Sequence, residues 1–273
     1  MAAPGGTRDP TAMIKRQLYV EERSSALASW SLRLALFAIP VIALASALYR
    51  ANLLDFEPAM ATVGTGLALA AVGALVAIAA CISIWESGWR GLGKAIGALA
   101  IALFVLAGPA AVLARGVMLP PLTDLSTDME DPPYFRAMGF ARPRAANPVI
   151  YPGEDVAAMQ RSAYPGIKPI DLDATPEEAF NTMLALVQKR RWRVLDAVPP
   201  RGGLRDGQIE AVAMTPLLGL RNDVVIRVRP TAKGARIDIR SMSRFGMHDL
   251  GENSWRISSL LADISAERRK KRQ

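Results

Sequence analysis

Polar and charged side chains crowd into residues 236–257, where the sequence pattern passes from a strand to a final helix, and ten of them are candidates for chemistry. An ordinary strand-to-helix turn needs few such groups. Their density predicts either an internal hydrogen-bonded network or a site that binds an anion. The residues are Asp238, Arg240, Ser241, Ser243, Arg244, His248, Asp249, Glu252, Asn253 and Arg256.

Arginine is the residue type in this segment best suited to hold an anion. Its planar fork of donors matches phosphate and carboxylate oxygens, and the free amides at the start of a helix add to it. The alternative is structural, because buried arginines normally need internal partners, which Asp223 and Asp238 would supply. Both roles stay open for the candidate site, which comprises Arg227, Arg240, Ser241, Ser243, Arg244, Asp249, Asn253 and Arg256.

A hydrolase is the alternative function for the same segment, with Ser241 or Ser243 as nucleophile, His248 as base and Asp249 as the orienting group. Adjacent residues such as His248 and Asp249 rarely hydrogen-bond each other in a triad, and no nucleophile-elbow glycine pattern surrounds either serine. The chain has one histidine, and its single cysteine, Cys81, lies in an apolar run. We therefore predict no catalytic residue, metal site or cofactor, and favour a binding module over an enzyme.

The composition divides the 273-residue chain into a membrane region and a polar remainder. Between residues 34 and 114, charges are confined to two short patches. The uncharged runs at 34–49, 59–85 and 95–114 can each cross a hydrocarbon core of roughly 30 Å, given tilt and flanking anchors. Three transmembrane helices are predicted. Gly93 and Gly97 have the spacing of a helix-packing motif, for which we expect packing within one chain, with a dimerisation face as the alternative.

Basic residues beside the spans predict the orientation. Two of them, Arg50 and Arg115, lie on one side of the membrane. The positive-inside rule then places the other side, with the N-terminus, in the cytoplasm, and the C-terminal domain outside the cytoplasm. A cleaved signal peptide is not favoured, because many residues precede the first span. Seven basic residues lie on the N-terminal side: Arg8, Lys15, Arg16, Arg23, Arg33, Arg90 and Lys94.

The polar remainder begins with a Pro-rich arm, which is expected to be extended apart from a short helix near 155–161. A helix starts at Thr175, where TPEE supplies an N-cap, a proline in the first turn and a capping-box glutamate. Four runs of period two follow, and then a last helix with Trp255, Ile257, Leu260, Leu261 and Ile264 on its buried side. The four runs are residues 192–198, 208–214, 223–229 and 235–241.

The predicted fold class is therefore α+β and membrane-anchored. Three transmembrane helices precede a two-layer domain, in which a four-stranded antiparallel sheet carries two helices on its one apolar face. The predicted segments are a cytoplasmic N-terminal segment at 1–33, a membrane region at 34–114, the arm at 115–174, the extracytoplasmic domain at 175–267 and a basic tail at 268–273.

Three motifs in this domain carry a resemblance to a known family. They are D-x-V-x-R-V from Asp223, R-S-x-S-R-x-G from Arg240 and D-x-G-x-N-x-x-R-I from Asp249. In order and spacing they resemble the bacterial domain-of-unknown-function family 1499, over about residues 147 to 264. His248 departs from the small polar residue typical of that position. The resemblance implies that the chain contains the domain of this family, and the family is compatible with fused membrane spans. It implies no reaction.

The expected function is a membrane-anchored, extracytoplasmic binding or assembly module of the cell envelope. The net charge of +8 does not indicate nucleic acid as a partner, because the basic residues are spread along the chain without interleaved aromatic residues. The lipid bilayer is the expected partner, and an anionic lipid or an envelope protein is a further candidate.

Overall fold

Three long helices form the first part of the molecule: α1 Ala26–Arg50, α2 Phe56–Ser87 and α3 Leu92–Val117. The computed structural model describes residues 23–201 and 205–270, with side chains up to residue 267. The predicted N-terminal segment before residue 23 and the basic tail therefore lie outside the described side chains. Each helix is long and apolar enough to cross a membrane, with mean hydropathy of 2.0, 2.6 and 2.4 in its most apolar window. The chain is thus a membrane protein with three candidate spans.

Small residues allow the three helices to pack closely. A Cβ atom added to Gly66 of α2 would clash with Ile42 of α1, whereas Cβ atoms at Gly93 and Gly97 of α3 would meet nothing within 4 Å. The expectation that the Gly93–Gly97 motif packs within the chain is therefore wrong. Alanines on a different face of α3 pack against the other two helices instead. They are Ala95, Ala98 and Ala102.

An antiparallel sheet of six strands forms the centre of the remaining part. The strand order is β1-β6-β5-β4-β3, and β2 pairs with the same edge of β6 as β1 does. The prediction of four strands is wrong by two, because the Pro-rich arm contributes β1 and β2. Those strands have three residues each, too few for a period-two pattern to be visible. The strands are β1 Asp124–Ser126, β2 Ile170–Leu172, β3 Arg193–Val198, β4 Gly207–Met214, β5 Arg221–Thr231 and β6 Gly234–Ser243.

Helices α5 Pro176–Lys189 and α6 Glu252–Lys270 cover the apolar face of the sheet, as predicted. The capping box at the start of α5 is confirmed, since Thr175 Oγ1 accepts a hydrogen bond from the Glu178 amide at 3.2 Å. A third helix of the domain, α4 Glu154–Ala163, belongs to the arm. The prediction that Trp255 is buried is wrong, because its side chain is 60% exposed.

The charged face of the sheet is covered by the arm. Phe135 and Met138 of the arm form a second apolar cluster with residues of β4, β5 and β6. Met138 begins a short 3-10 helix that ends at Ala141. The buried carboxylate of Glu210 on β4 accepts hydrogen bonds from the backbone amides of residues 136, 137 and 138. The sheet therefore lies between two helices on one side and the arm on the other.

The domain rests on the ends of the membrane helices. Arg50, the last residue of α1, donates a hydrogen bond to the carbonyl of Pro216 in the β4–β5 loop at 2.8 Å. Phe56, the first residue of α2, stacks on Phe245, with ring centroids 4.3 Å apart and an interplanar angle of 5°. These contacts hold the β4–β5 loop and the segment after β6 at the level where α1 ends and α2 begins.

Candidate functional site

The predicted site residues are divided between the two faces of the sheet, because side chains alternate along a strand. Ser241 is bonded to a side chain of α6, whereas its neighbour Arg240 is bonded to backbone carbonyls of the arm. The site is therefore two separate clusters rather than one network. The cluster on the helix side contains Ser241, Ser243, Asp249, Asn253 and Arg256, and the cluster on the arm side contains Arg227, Arg240 and Arg244.

Asp249 organises the start of α6. Its Oδ1 accepts a hydrogen bond from the Gly251 amide at 2.9 Å, and its Oδ2 accepts one from the Asn253 amide at 2.8 Å. Burial raises the pKa of the Asp249 carboxyl, and the two amides offset part of that rise. Leu250 and Gly251 both adopt positive φ angles, 54° and 81°, so the chain reverses tightly before the helix begins.

Asn253 is the centre of the helix-side cluster. Its Nδ2 donates to Ser243 Oγ and to the Thr123 carbonyl, both at 3.0 Å. Arg256 Nη1 donates to Asn253 Oδ1 at 2.8 Å and to Ser241 Oγ at 3.2 Å. Burial lowers the pKa of Arg256 to about 10, against the opposing effect of nearby carboxylates. These buried groups satisfy one another, which is the behaviour of a structural network.

The residues of the alternative hydrolase do not form a triad. His248 Nε2 lies 3.1 Å from the Leu119 carbonyl, and its Nδ1 accepts a hydrogen bond from the Leu250 amide at 2.8 Å. A carbonyl only accepts and an amide only donates, so the ring is the neutral Nε2–H tautomer. Within the described residues, neither Ser241 nor Ser243 hydrogen-bonds to His248. The histidine instead fastens the segment after α3 to the loop before α6.

Arg240 is the most buried of the three site arginines on the arm side. Its Nε donates to Asp124 Oδ1 at 2.9 Å and its Nη2 donates to Oδ2 at 2.6 Å, while two arm carbonyls accept its other hydrogen bonds at 3.1 and 2.8 Å. The guanidinium carbon lies 5.0 Å from the ring centroid of Phe135 and 5.3 Å from that of Tyr151. Burial raises the pKa of Asp124, although Arg240 opposes the rise. Arg240 is thus saturated by internal partners.

Arg227 belongs to a ladder of six alternating charges. It pairs with Asp238 at 3.0 Å and with Asp131 at 3.0 Å. Burial opposes ionisation of Asp128, but hydrogen bonds from the Asp131 amide and from Arg229 outweigh it and lower the Asp128 pKa. Three positive charges face three negative charges, so the ladder leaves no net charge for a ligand. Its members are Arg227, Arg229, Arg236, Asp128, Asp131 and Asp238.

Arg244 is the one predicted site residue that lines a cavity. Its side chain is 4% exposed, and its Nε donates to Asp223 Oδ1 at 2.8 Å, a carboxylate that it shares with Arg142. Burial raises the pKa of Asp223. Arg244 Nη1 makes no hydrogen bond to the part of the chain that is described. It is therefore a donor that a ligand in the cavity could use.

The cavity lies between the domain and the ends of α1 and α2, and its volume is about 460 Å³. One wall comes from the last turn of α1, the loop and the first turn of α2. The other wall comes from the arm and the ends of β3, β5 and β6. The lining residues are Tyr49, Asn52, Leu54, Asp55, Phe56, Glu57, Pro58, Ala141, Pro143, Arg144, Ala145, Arg193, Arg221, Arg244 and Phe245.

Sequence reasoning correctly named Asp238 and Asp223 as partners of Arg227 and Arg244, but it missed the carboxylates that the arm contributes. Asp124, Asp128 and Asp131 lie in the arm, where no periodic pattern indicated contact with the sheet. Glu210 did carry a signal, because it lies in the middle of the otherwise apolar run IEAVAM. A carboxylate on a buried strand needs donors from elsewhere in the chain.

The fold and the site define a membrane-anchored α+β domain whose charged sheet face is covered by its own Pro-rich arm. The chain belongs to the family described as proteins of unknown function (DUF1499), which matches residues 124–264, more than half of the chain. The match begins at β1 and ends in α6, so it extends the resemblance toward the N-terminus by the part of the arm between residues 124 and 147. No curated protein and no solved structure matches the chain.

Proposed function

We propose that this protein is a membrane-anchored binding or assembly module of the cell envelope. Its three helices hold it in the bacterial inner membrane, with the N-terminus in the cytoplasm and the domain in the periplasm. The seven basic residues beside the N-terminal side of the spans, against two on the other side, support this orientation.

The cavity between the helix ends and the domain carries the proposal. Ligand sites are concave and place a few polar groups among apolar walls, with volumes of roughly 300–1,000 Å³. This cavity, at about 460 Å³, has aromatic walls and both signs of charge. Arg244, the site residue with an unused donor, belongs to its lining. The membrane helices and the domain both contribute to the walls. Ligand binding would therefore require the domain to be packed against the membrane helices.

The alternative, an envelope hydrolase with a Ser/His pair, lacks such support. The Ser241 side chain is fully buried and donates its hydroxyl proton to Asn253, and both ring nitrogens of His248 are bonded to backbone groups. A nucleophile must reach both its base and its substrate. Neither condition is met by this arrangement.

Photo-crosslinking in living cells tests the proposed binding role. A photoreactive amino acid replaces Ala145, which lines the cavity, or Ala163, at the exposed end of α4, as a matched control. We expect illumination to attach a ligand or an envelope partner at position 145 and not at position 163. Equal crosslinking at both positions, or none at position 145, would contradict a binding role for the cavity.

A further inference from the structure

We propose that the cavity binds the headgroup of a zwitterionic phospholipid, with the phosphate against Arg144 and Arg193 and the ammonium group against Asp55 and Glu57. The inference rests on the proposed function and names the ligand class of its site.

The position of the cavity matches the depth of lipid headgroups. Its lining includes Tyr49 in the last turn of α1 and Phe56 in the first turn of α2. The uncharged runs of the two helices end at Tyr49 and begin at Ala59, so the cavity adjoins the hydrocarbon layer. Aromatic residues and arginines are typical of this interfacial zone. A lipid headgroup reaches this depth without leaving the membrane.

The unused charges in the cavity are of both signs. The exposed residues Arg144, Arg193, Asp55 and Glu57 all belong to its lining, and none of their side chains makes an ion pair or a hydrogen bond to the described residues. Asp55 is the N-cap residue of α2, yet its carboxylate forms no capping hydrogen bond. Two free cations and two free anions complement a ligand that carries a phosphate and an ammonium group. A purely anionic headgroup would leave both carboxylates opposed by its charge.

Arg244 adds a further donor to the phosphate side of the site. Arg244 lines the cavity with a side chain that is 4% exposed, and its Nη1 has no partner in the described residues. Arg221 also lines the cavity, but its Nη2 already donates to the Tyr49 carbonyl at 3.1 Å and to Asn52 Oδ1. Arg221 therefore shapes the wall, and Arg244 offers a charge-assisted hydrogen bond to a phosphate oxygen.

Native mass spectrometry of the full chain in a maltoside detergent tests the assignment. The probes are phosphatidylethanolamine, phosphatidylglycerol, free phosphoethanolamine and inorganic phosphate, each at the same concentration. We expect phosphatidylethanolamine to remain bound to the wild-type chain and the other three to bind at least about tenfold more weakly. If free phosphoethanolamine or inorganic phosphate bound as strongly as the lipid, the proposal that the ligand is a membrane lipid would be overturned.

Two pairs of substitutions separate the charges. Arg144→Ala with Arg193→Ala should weaken phosphatidylethanolamine binding by about tenfold or more, because two of the three phosphate contacts are lost. Asp55→Asn with Glu57→Gln should weaken phosphatidylethanolamine binding and leave phosphatidylglycerol binding unchanged or stronger. These four side chains have no ion pair or hydrogen bond to the described residues, so the unfolding temperature of each variant should stay close to that of the wild-type chain.

Lys233→Ala is the matched control for loss of one exposed positive charge. Lys233 lies past the far end of β5 from Arg221, roughly 30 Å away along an 11-residue strand. Equal retention of both lipids, or binding that none of the paired substitutions changes, would overturn the headgroup assignment. If the cavity instead crosslinks another ligand or a protein in cells, the proposed binding role stands and only this inference fails.

Discussion

Arg240 on β6 and Asp124 on β1 form a buried two-point ion pair between residues 116 positions apart, with donor–acceptor distances of 2.9 and 2.6 Å. Both side chains are at most 2% exposed. The pair fastens the first strand of the Pro-rich arm to the edge of the sheet. Arg240, which the sequence suggested as part of an anion site, thus holds the arm against the sheet.

Substituting Arg240 tests this fastening. Arg240→Ala leaves Asp124 buried without its partner, which typically costs about 3–5 kcal/mol of unfolding free energy. The unfolding temperature of the full chain in detergent should fall accordingly. Arg240→Met combined with Asp124→Leu should recover part of the loss, because it removes the orphaned carboxylate. An unchanged unfolding temperature for Arg240→Ala would show that the pair does not hold the arm.

Tyr151 makes the stability sensitive to alkaline pH. Burial, aided by the charge of Asp124, raises the pKa of Tyr151 from about 10 to about 12. The phenolate is therefore disfavoured in the folded state, so the contribution of Tyr151 to stability is present below pH about 10 and is lost as the pH rises to about 12. In Tyr151→Phe, the free energy of unfolding should decrease less between pH about 10 and about 12 than it does in the wild-type chain. Because the Tyr151 hydroxyl has no hydrogen-bond partner among the residues that the structure describes, stability at neutral pH should not decrease.

Ser241 should be unreactive toward a fluorophosphonate probe. Its hydroxyl is fully buried and donates to Asn253 at 2.8 Å, so it is neither accessible nor activated by His248. The full chain in detergent is incubated with a tagged probe beside a known serine hydrolase as a positive control. Labelling of the wild-type chain that disappears in Ser241→Ala would favour the hydrolase instead.

The membrane orientation can be tested by labelling single cysteines in a chain that carries Cys81→Ser. Thr231→Cys places a thiol at the exposed end of β5, and Ser87→Cys places one at the opposite ends of the spans. We expect a membrane-impermeant maleimide to label position 231 in intact spheroplasts and position 87 only after lysis. The reverse pattern would invert the topology.

Elements with long periodic patterns were predictable from the sequence. Strands β3 to β6 and helices α5 and α6 begin within about two residues of their predicted positions, because each shows a clear period and α5 also carries a capping box. Strands β1 and β2 were not predictable, since three residues carry no period. Their pairing with β6 depends on contacts across the sequence that local patterns do not encode.

The candidate site was predictable in composition but not in arrangement. Arg240 and Ser241 are neighbours in sequence, and alternation along β6 sends them to opposite faces, so a dense motif became two clusters. The partner of Arg240 is Asp124, far back in the arm, where no local signal marked it. The cavity could not be foreseen, because the α1–α2 loop and the domain form it together.

Filling the cavity is the most direct test of the account. Ala145→Trp places a large side chain in the cavity lining, and Ala163→Trp, at the exposed end of α4, is the matched control. Native mass spectra are recorded for each chain released from its own membrane in mild detergent. We predict a bound mass on the wild-type chain and on Ala163→Trp that is absent from Ala145→Trp. Retention of the same mass by Ala145→Trp, or a bare wild-type chain, would contradict a binding role for this cavity.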